Sequence, residues 1–374
     1  MKVLTNLLFL LFMYLLILIT PVYSQDIENI DGVKYVHNDK PKWGENSKVA
    51  LEHVVTIGGI DVVDEDYLMF DILDLDQDRE GNIYVVDTGN RRIQKYDKNG
   101  KYLKTIGRRG QGPDEFEFPK FICINPTGKI YINDGLGHNS IKVFNANEKE
   151  IKRLAVKSVF SGDIRFIDSN KILLGGGGFY SGGGGFFDKE GNPLFSIIDE
   201  DGILIEKFGE PFIFPTGKNP RGQDTYEVDG RSPFDIDSEG NIFITYAIKN
   251  CIEKRNSAGE ILVQVDRKLN YKITDFNRIN GVAVYPNVSS TCLSIDYVDR
   301  VWVSTITKQP EEWGLHSLLK KEFAEFEIYD PEGNLLGKLP FPEDMYRFRI
   351  IGDNMYIIGY NRVSISKYKI VNLN

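Results

Sequence analysis

Histidine and cysteine are scarce in this chain, four and three among 374 residues. His37, His53, His138 and His316 are dispersed, and the first two precede the repeats described below, so a histidine-built zinc centre is not expected. Cys123, Cys251 and Cys292 are too few and too far apart for a disulfide framework or a CxxC metal site. Cys123 sits in the apolar run Phe121-Ile122-Cys123-Ile124 and reads as a buried free thiol, while a single Cys251–Cys292 bridge stays open. Basic residues are in deficit, 45 against 54 acidic, a net charge of −9 that repels phosphate backbones and anionic bilayers. Nucleic acid is therefore not an expected partner. Gly-x-Ser-x-Gly is absent, as are a P-loop and any Cys/His protease arrangement. Sustained helical periodicity is missing except around Trp313 to Phe326, which reads as a short helix or a strand extension.

The composition that remains, 41% apolar and 12% aromatic, is that of a folded protein. One long apolar run exists, Leu7 to Ile19, preceded by Lys2 and followed by Val22-Tyr23-Ser24. Residues 1–24 read as a secretory signal peptide cut after Ser24, the alternative being an uncleaved anchor. Cleavage leaves 44 basic against 54 acidic residues and no membrane span in the mature chain. The expected location is secreted or periplasmic. Residues 25–47 form a leader, and residues 48–374 the folded domain.

That domain repeats one grammar. Leu73 to Gly107 holds four strand-like runs, joined by Asp78-Arg79-Glu80-Gly81 and Asp97-Lys98-Asn99-Gly100, in which Asp opens the turn and Gly ends it with a positive φ. Equivalent starts at Asn82, Lys129, Lys171, Asn241, Arg300 and Asn354 define six units spaced 47, 42, 70, 59 and 54 residues apart. A second series, Asp97 to Gly100, Asn145 to Glu148, Asp199 to Gly202, Asn256 to Gly259 and Asp330 to Gly333, marks five outer hairpins where six are required. Lys48 to Ile57 can supply the missing strand beside Ile365 to Ile370, which closes a ring and removes two exposed edges. The fold expected is all-β: a six-bladed β-propeller of four-stranded antiparallel blades, closed by pairing of the N-terminal strand with the C-terminal blade.

Residues 73 to 107 resemble an NHL repeat, and Gly107 to Phe116 resembles the glycine-rich stretch joining blades in secreted bacterial six-bladed propellers of that type. The resemblance is strongest in the first blade, extends to residues 119–151 and 233–265, and weakens in blades three and five through insertions. It implies fold more firmly than activity. Some relatives of this fold are metal-dependent hydrolases or lyases with the metal at the channel mouth.

One face carries short Asp/Gly turns and the other long, varied loops, Gly107 to Pro119, Gly175 to Asn192, Gly209 to Pro233 and Thr305 to Phe323, which directs the search for function to the second. Candidate ligand-binding residues there are Arg91, Arg92, Arg108, Arg109, His138, Phe179, Tyr180, Arg221, Tyr226 and Trp313, since Arg with aromatic side chains suits carboxylates, phosphates, sugars or a partner's loop. Arg91 and Arg92 can equally pair with carboxylates of neighbouring blades. The tract of eight glycines, Gly175 to Gly178 and Gly182 to Gly185 around Phe179-Tyr180-Ser181, can bring backbone N–H groups to an anion but lacks P-loop chemistry, and it reads as a flap or as a strand packed close to the ring's centre. No cofactor is required, although calcium can be held by Asp87, Asn133, Asp134 and Asp235 near inner strand ends. The expected function is a secreted, non-catalytic binding module for a peptide, glycan or partner protein. The alternative is a calcium-dependent, lactonase-like hydrolase or lyase at the channel mouth, and a third reading is a structural subunit of a cell-envelope complex.

Overall fold

A computed structural model describes residues 26–135, 140–156, 162–177, 179–181, 193–218, 222, 224–279, 282–284, 286–309 and 320–373. Residues 1–24, expected to be a signal peptide, lie outside the described residues. All regular elements among the described residues are strands, and six four-stranded antiparallel blades make the ring. Their inner strands are Ile72–Gln77, Pro119–Ile124, Asp163–Phe166, Phe234–Ile236, Ser290–Ile295 and Met345–Ile351.

The turn chemistry explains the repeat. Asp78 Oδ1 accepts the amide of Asn82 at 2.8 Å while Gly81 takes φ 85°, and Asp97 does the same for Lys101 with Gly100 at φ 84°. Where the sequence has no glycine, Glu148 and Asp299 adopt the left-handed conformation themselves, at φ 58° and 61°.

Packing explains why strand alternation is blurred. Each blade interface holds its own apolar cluster, so the second strands are covered on both faces: Ile83–Asp87, Ile130–Asp134 and Val301–Ile306 are buried throughout. Such strands read as continuous apolar runs. Between blades 5 and 6 the cluster is built on Trp302, Phe326 and Phe348, with Phe326 edge-on to both of the others.

The ring closes as the hairpin count requires. Val49–Gly58 pairs antiparallel with Ser364–Asn372 as the outermost strand of blade 6, and Ile57 enters the core between blades 6 and 1. The leader has structure that its sequence does not announce. Asp26–Ile30 and Val33–His37 form a hairpin whose second strand pairs in parallel with Ile261–Asp266, extending blade 4 to six strands. Asn38 then holds blade 5, donating to Gly333 O and accepting from Leu335 N, and the Trp43 amide donates to Leu336 O.

The insertions in blade 3 and after it build a small three-stranded sheet of Phe179–Ser181, Asp224–Asp229 and Phe212–Lys218. Phe214 of that sheet stacks on Phe276 at 5.0 Å, beside a further hairpin of Asn277–Ile279 and Val282–Val284. Of the glycine tract, Gly175 ends a blade 3 strand and Gly176 and Gly177 follow it. A Cβ on Gly175 would lie 2.1 Å from the Phe195 ring, so this glycine is a close-packing position. Ala324–Tyr329 is a strand, which makes that end of the 313–326 segment the strand extension rather than a helix.

Candidate functional site at the channel mouth

A strand places alternate side chains on one face, and on the inner strands that face is the ring's axis. Blade 1 contributes Asp74 and Asp76, blade 3 Asp163 and Arg165, blade 4 Asp235, and blade 6 Arg347 and Arg349. Inner strands of adjacent blades do not form ladders with one another, so their free amides need other acceptors. Asp74 Oδ2 accepts from Ile122 N at 3.1 Å and Asp76 Oδ2 from Ile124 N at 2.7 Å, across the blade 1–2 boundary. Asp235 Oδ2 accepts from Ile295 N at 3.0 Å and Ser294 Oγ at 2.7 Å, and Ser294 Oγ in turn accepts from Ile350 N at 2.9 Å.

The same carboxylates neutralise three arginines. Arg347 pairs with Asp163, Arg349 lies 3.4 Å from Asp74 and 3.2 Å from Asp76, and Arg165 lies 3.2 Å from Asp163 and 3.4 Å from Asp235. Arg349 Nη1 also donates to Leu75 O and Ile122 O. Burial alone would raise the Asp163 pKa, but Arg165, Arg347 and Arg349 outweigh it and hold this carboxyl below its ordinary range. At Asp76 burial wins over Arg349 and the pKa rises.

This charged layer separates two cavities on the axis. The one on the tight-turn side measures about 350 Å³ and is lined by Asp76, Arg165, Asp235 and Arg349 among apolar neighbours. The one on the long-loop side measures about 270 Å³, with Phe121, Asp163, Ser290, Thr291, Tyr346 and Arg347 in its wall. Gly162, Gly176 and Gly177 add backbone to the wall, Pro233, Ala247, Cys292 and Leu293 add mostly apolar surface, and Arg231, bidentate to Asp229 at 3.0 and 2.6 Å, also lines it.

The residues singled out from sequence are distributed around this centre. Arg92 donates to the buried Asp87 at 2.8 Å and to Leu68 O at 2.6 Å, and Arg91 takes φ 56° in the turn after Asp87. Arg108 pairs with Glu115 at 2.9 Å yet stays 81% exposed, and Arg109 bridges to Phe116. Tyr226 is half-buried in the small sheet opposite Pro215. Phe179 and Tyr180 fall on the edge strand of that sheet; their side chains, with His138, Arg221 and Trp313, lie outside the described residues.

The four candidate calcium ligands do not come together. Asp87 accepts from Phe70 N, Asn90 and Arg92; Asp134 accepts from Phe118 N and Glu117 N and pairs with Lys142 at 3.1 Å. Asn133 lies beside Asp134 on its strand and donates to Gly162 O, whereas Asp235 belongs to the axial layer in blade 4. Among the described residues no group of three or more His, Cys, Asp or Glu is arranged to hold a metal. All three cysteines are free and buried, so no Cys251–Cys292 bridge exists. Of the axial residues only Asp235 was singled out from sequence, and as a calcium ligand rather than an ion-pair partner; the others were missed, although charges two apart in otherwise apolar strands, Asp74/Asp76, Asp163/Arg165 and Arg347/Arg349, carry the signal.

No curated protein matches the sequence. Among solved structures, a candidate exported protein of Bacteroides fragilis NCTC 9343 is similar with TM-score 0.57 at 11% identity, covering 91% of this chain and 100% of that one. A member of the DUF4221 family from Bacteroides vulgatus ATCC 8482 gives 0.55 at 13% identity, with coverage of 87% and 99%. The PQQ-bound aldose sugar dehydrogenase of Streptomyces coelicolor gives 0.50 at 14%, with coverage of 88% and 100%. At these identities the likeness is one of fold. Residues 44–163, which run from the end of the leader through blade 2 to the start of blade 3, match the family DUF5128, described as a 6-bladed beta-propeller.

Proposed function

We propose that the chain is an exported, non-catalytic binding module whose long-loop face takes a peptide, glycan or protein partner and seats one compact unit of it, a sugar ring or a side chain, in the loop-side cavity. The observation supporting this is the cavity on the axis: about 270 Å³, aromatic and hydroxyl-bearing in its wall, and backed by the Arg347–Asp163 pair. That volume is just below the range of about 300–1,000 Å³ usual for drug-sized ligands, which suits a single unit of a larger ligand.

Two features favour binding over catalysis. Asp163 is held below the ordinary carboxylate range and is thus a poor base, and Arg347, paired with it, has a raised pKa. The Lys2, Leu7 to Ile19 and Ser24 pattern supports export, with a mature chain from Gln25. No described helix is long and apolar enough to cross a membrane. The NHL-type reading of the blades rests on the pattern of residues 73 to 107.

Glycan and peptide arrays probed with the full mature chain test the proposal, followed by calorimetry on the strongest binder. Thr291→Phe, which fills the cavity and gives up the 2.7 Å hydrogen bond between the Thr291 and Ser304 hydroxyls, should lower affinity tenfold or more, about 1.4 kcal/mol, in a chain that a cooperative melt shows to be folded. Lys98→Ala on the tight-turn face should change nothing. The reading fails if no array ligand binds, or if the filled variant binds as the parent does.

A further inference from the structure

The segment between the closing strand and the first inner strand presents apolar side chains to solvent while its backbone is pinned. Tyr96 Oη donates to Asp66 O at 2.9 Å, Tyr102 N to Tyr67 Oη at 3.1 Å, and Arg92 Nη2 to Leu68 O at 2.6 Å. Gly89 N donates to Phe70 O at 2.8 Å, and Phe70 N to Asp87 Oδ1 at 2.9 Å. Met69 is buried as a plug, and the amides of Tyr67 and Asp66 bond back to Asp64.

Between and beside these anchors Leu68 and Phe70 remain 46% and 63% exposed, and Ile60 and Val63 78% and 93%. Single exposed apolar residues need no explanation, but four within eleven residues of one loop concentrate exposed apolar surface there. A mobile loop can turn such side chains inward, whereas the bonds to blade 1 hold Leu68 and Phe70 outward, with Ile60 and Val63 on the stretch that leads into them. Asp61, Asp64, Glu65 and Asp66 stand among them, all exposed; no Lys or Arg occurs from Val49 to Asp78, and the two arginines that reach the segment, Arg92 and Arg362, are paired with Asp87 and Asp71.

We infer that Ile60, Val63, Leu68 and Phe70 form a docking surface for a second protein that presents a basic, apolar segment. None of the four lines the loop-side cavity, so this surface is independent of the ligand reading. Charge complementarity selects the occupant. Four exposed carboxylates interspersed with these apolar side chains attract a cationic segment, and the same field opposes both a second copy of this chain, at net −9, and an anionic bilayer. Pre-ordering by the blade 1 anchors lowers the entropy lost on docking.

The test is selection of random dodecapeptides displayed on phage against the full mature chain, with counter-selection on the Ile60→Ser, Val63→Ser double variant. Both positions are solvent-facing, so the variant should melt with the parent. Enrichment of sequences rich in Lys or Arg together with Leu, Ile or Phe is expected. The most enriched peptide should bind the double variant at least tenfold more weakly and should weaken as salt rises from about 0.05 M to about 0.5 M. The inference is overturned if no sequence enriches, if acidic or uncharged sequences win, or if the variant binds equally. It is also overturned if sedimentation shows a dimer that the two serines dissolve, or if the chain partitions onto anionic vesicles through these residues.

Discussion

Arg347 of blade 6 and Asp163 of blade 3 form an ion pair between inner strands three blades apart in a ring of six, so the pair spans the axis. Adjacent blades are already joined by apolar clusters and amide-to-carboxylate bonds, and this contact adds a tie between opposite sides. Both of its residues line the long-loop cavity.

Breaking that tie from one side leaves the buried carboxylate with Arg165 as its paired arginine and only the weaker field of Arg349 besides. Arg347→Met should therefore cost about 3 kcal/mol in urea unfolding, the lower end for removing one partner of a buried pair. Adding Asp163→Asn should restore part of the loss, because the uncompensated charge goes with it. A single variant as stable as the parent would show that the axial layer contributes nothing to holding the ring.

Acid should unfold the protein through named carboxylates. Burial would raise the pKa of Glu253 and Glu327, but Arg255, Tyr246 and Lys249 around the first, and Arg267, Lys338 and Tyr329 around the second, outweigh it and hold both below the ordinary 4.5. Asp163 behaves likewise below 3.8. A folded pKa below the unfolded one gives stability that is full above the unfolded value and is lost as pH falls through the folded one. Asp76, shifted upward, has the opposite sign and softens the loss. Thermal melts should be flat from pH 7 to about 5 and then fall steadily; a melt that stays constant down to pH 3 contradicts this assignment.

The thiols should be silent in the native protein. Burial leads the causes that push Cys123 and Cys251 up to about 12 and Cys292 to about 11. At pH 8 a thiol reagent should label none of them, and all three after unfolding in guanidinium. Rapid labelling of one native equivalent would place that cysteine at the surface.

Removing the closing strand should break the ring. A chain beginning at Ile60 lacks both Val49–Gly58 and the leader that ties blades 4 and 5, leaving Ser364–Asn372 as an open edge. Aggregation or a broadened, non-cooperative melt is expected. A sharp melt at the parent temperature would mean that blade 6 is complete without it.

Arg108 and Arg109 are exposed on the long-loop face, so changing both to Ala should shift stability by no more than about 0.5 kcal/mol. If they contribute to ligand capture, affinity for the array ligand should drop roughly ten- to hundredfold, the loss of a charge-assisted hydrogen bond. Unchanged affinity would confine recognition to the cavity itself.

The architecture was legible because its signals are local. An Asp or Asn opening a turn, a Gly four positions into it and an apolar run on either side lie within a dozen residues, so Asp78 to Gly81 and Asp97 to Gly100 could be read directly and counted through the chain. Closure followed from the count, because an unpaired final strand and a spare initial one have a single economical solution. The axial layer was not legible in the same way. Asp74, Asp163, Asp235 and Arg347 stand 89, 72 and 112 residues apart in succession, and what brings them together is the curvature of a ring that exists only after six blades have packed. The leader's hairpin on blade 4 and the small sheet made from two separate insertions have the same origin: their partners are distant in sequence, and the pairing is decided by which edges the completed propeller leaves within reach. Alternation could mark Asp74/Asp76 and Arg347/Arg349 as sharing a face. Which face, and that both pairs meet at the axis, was decided by burial in the tertiary structure.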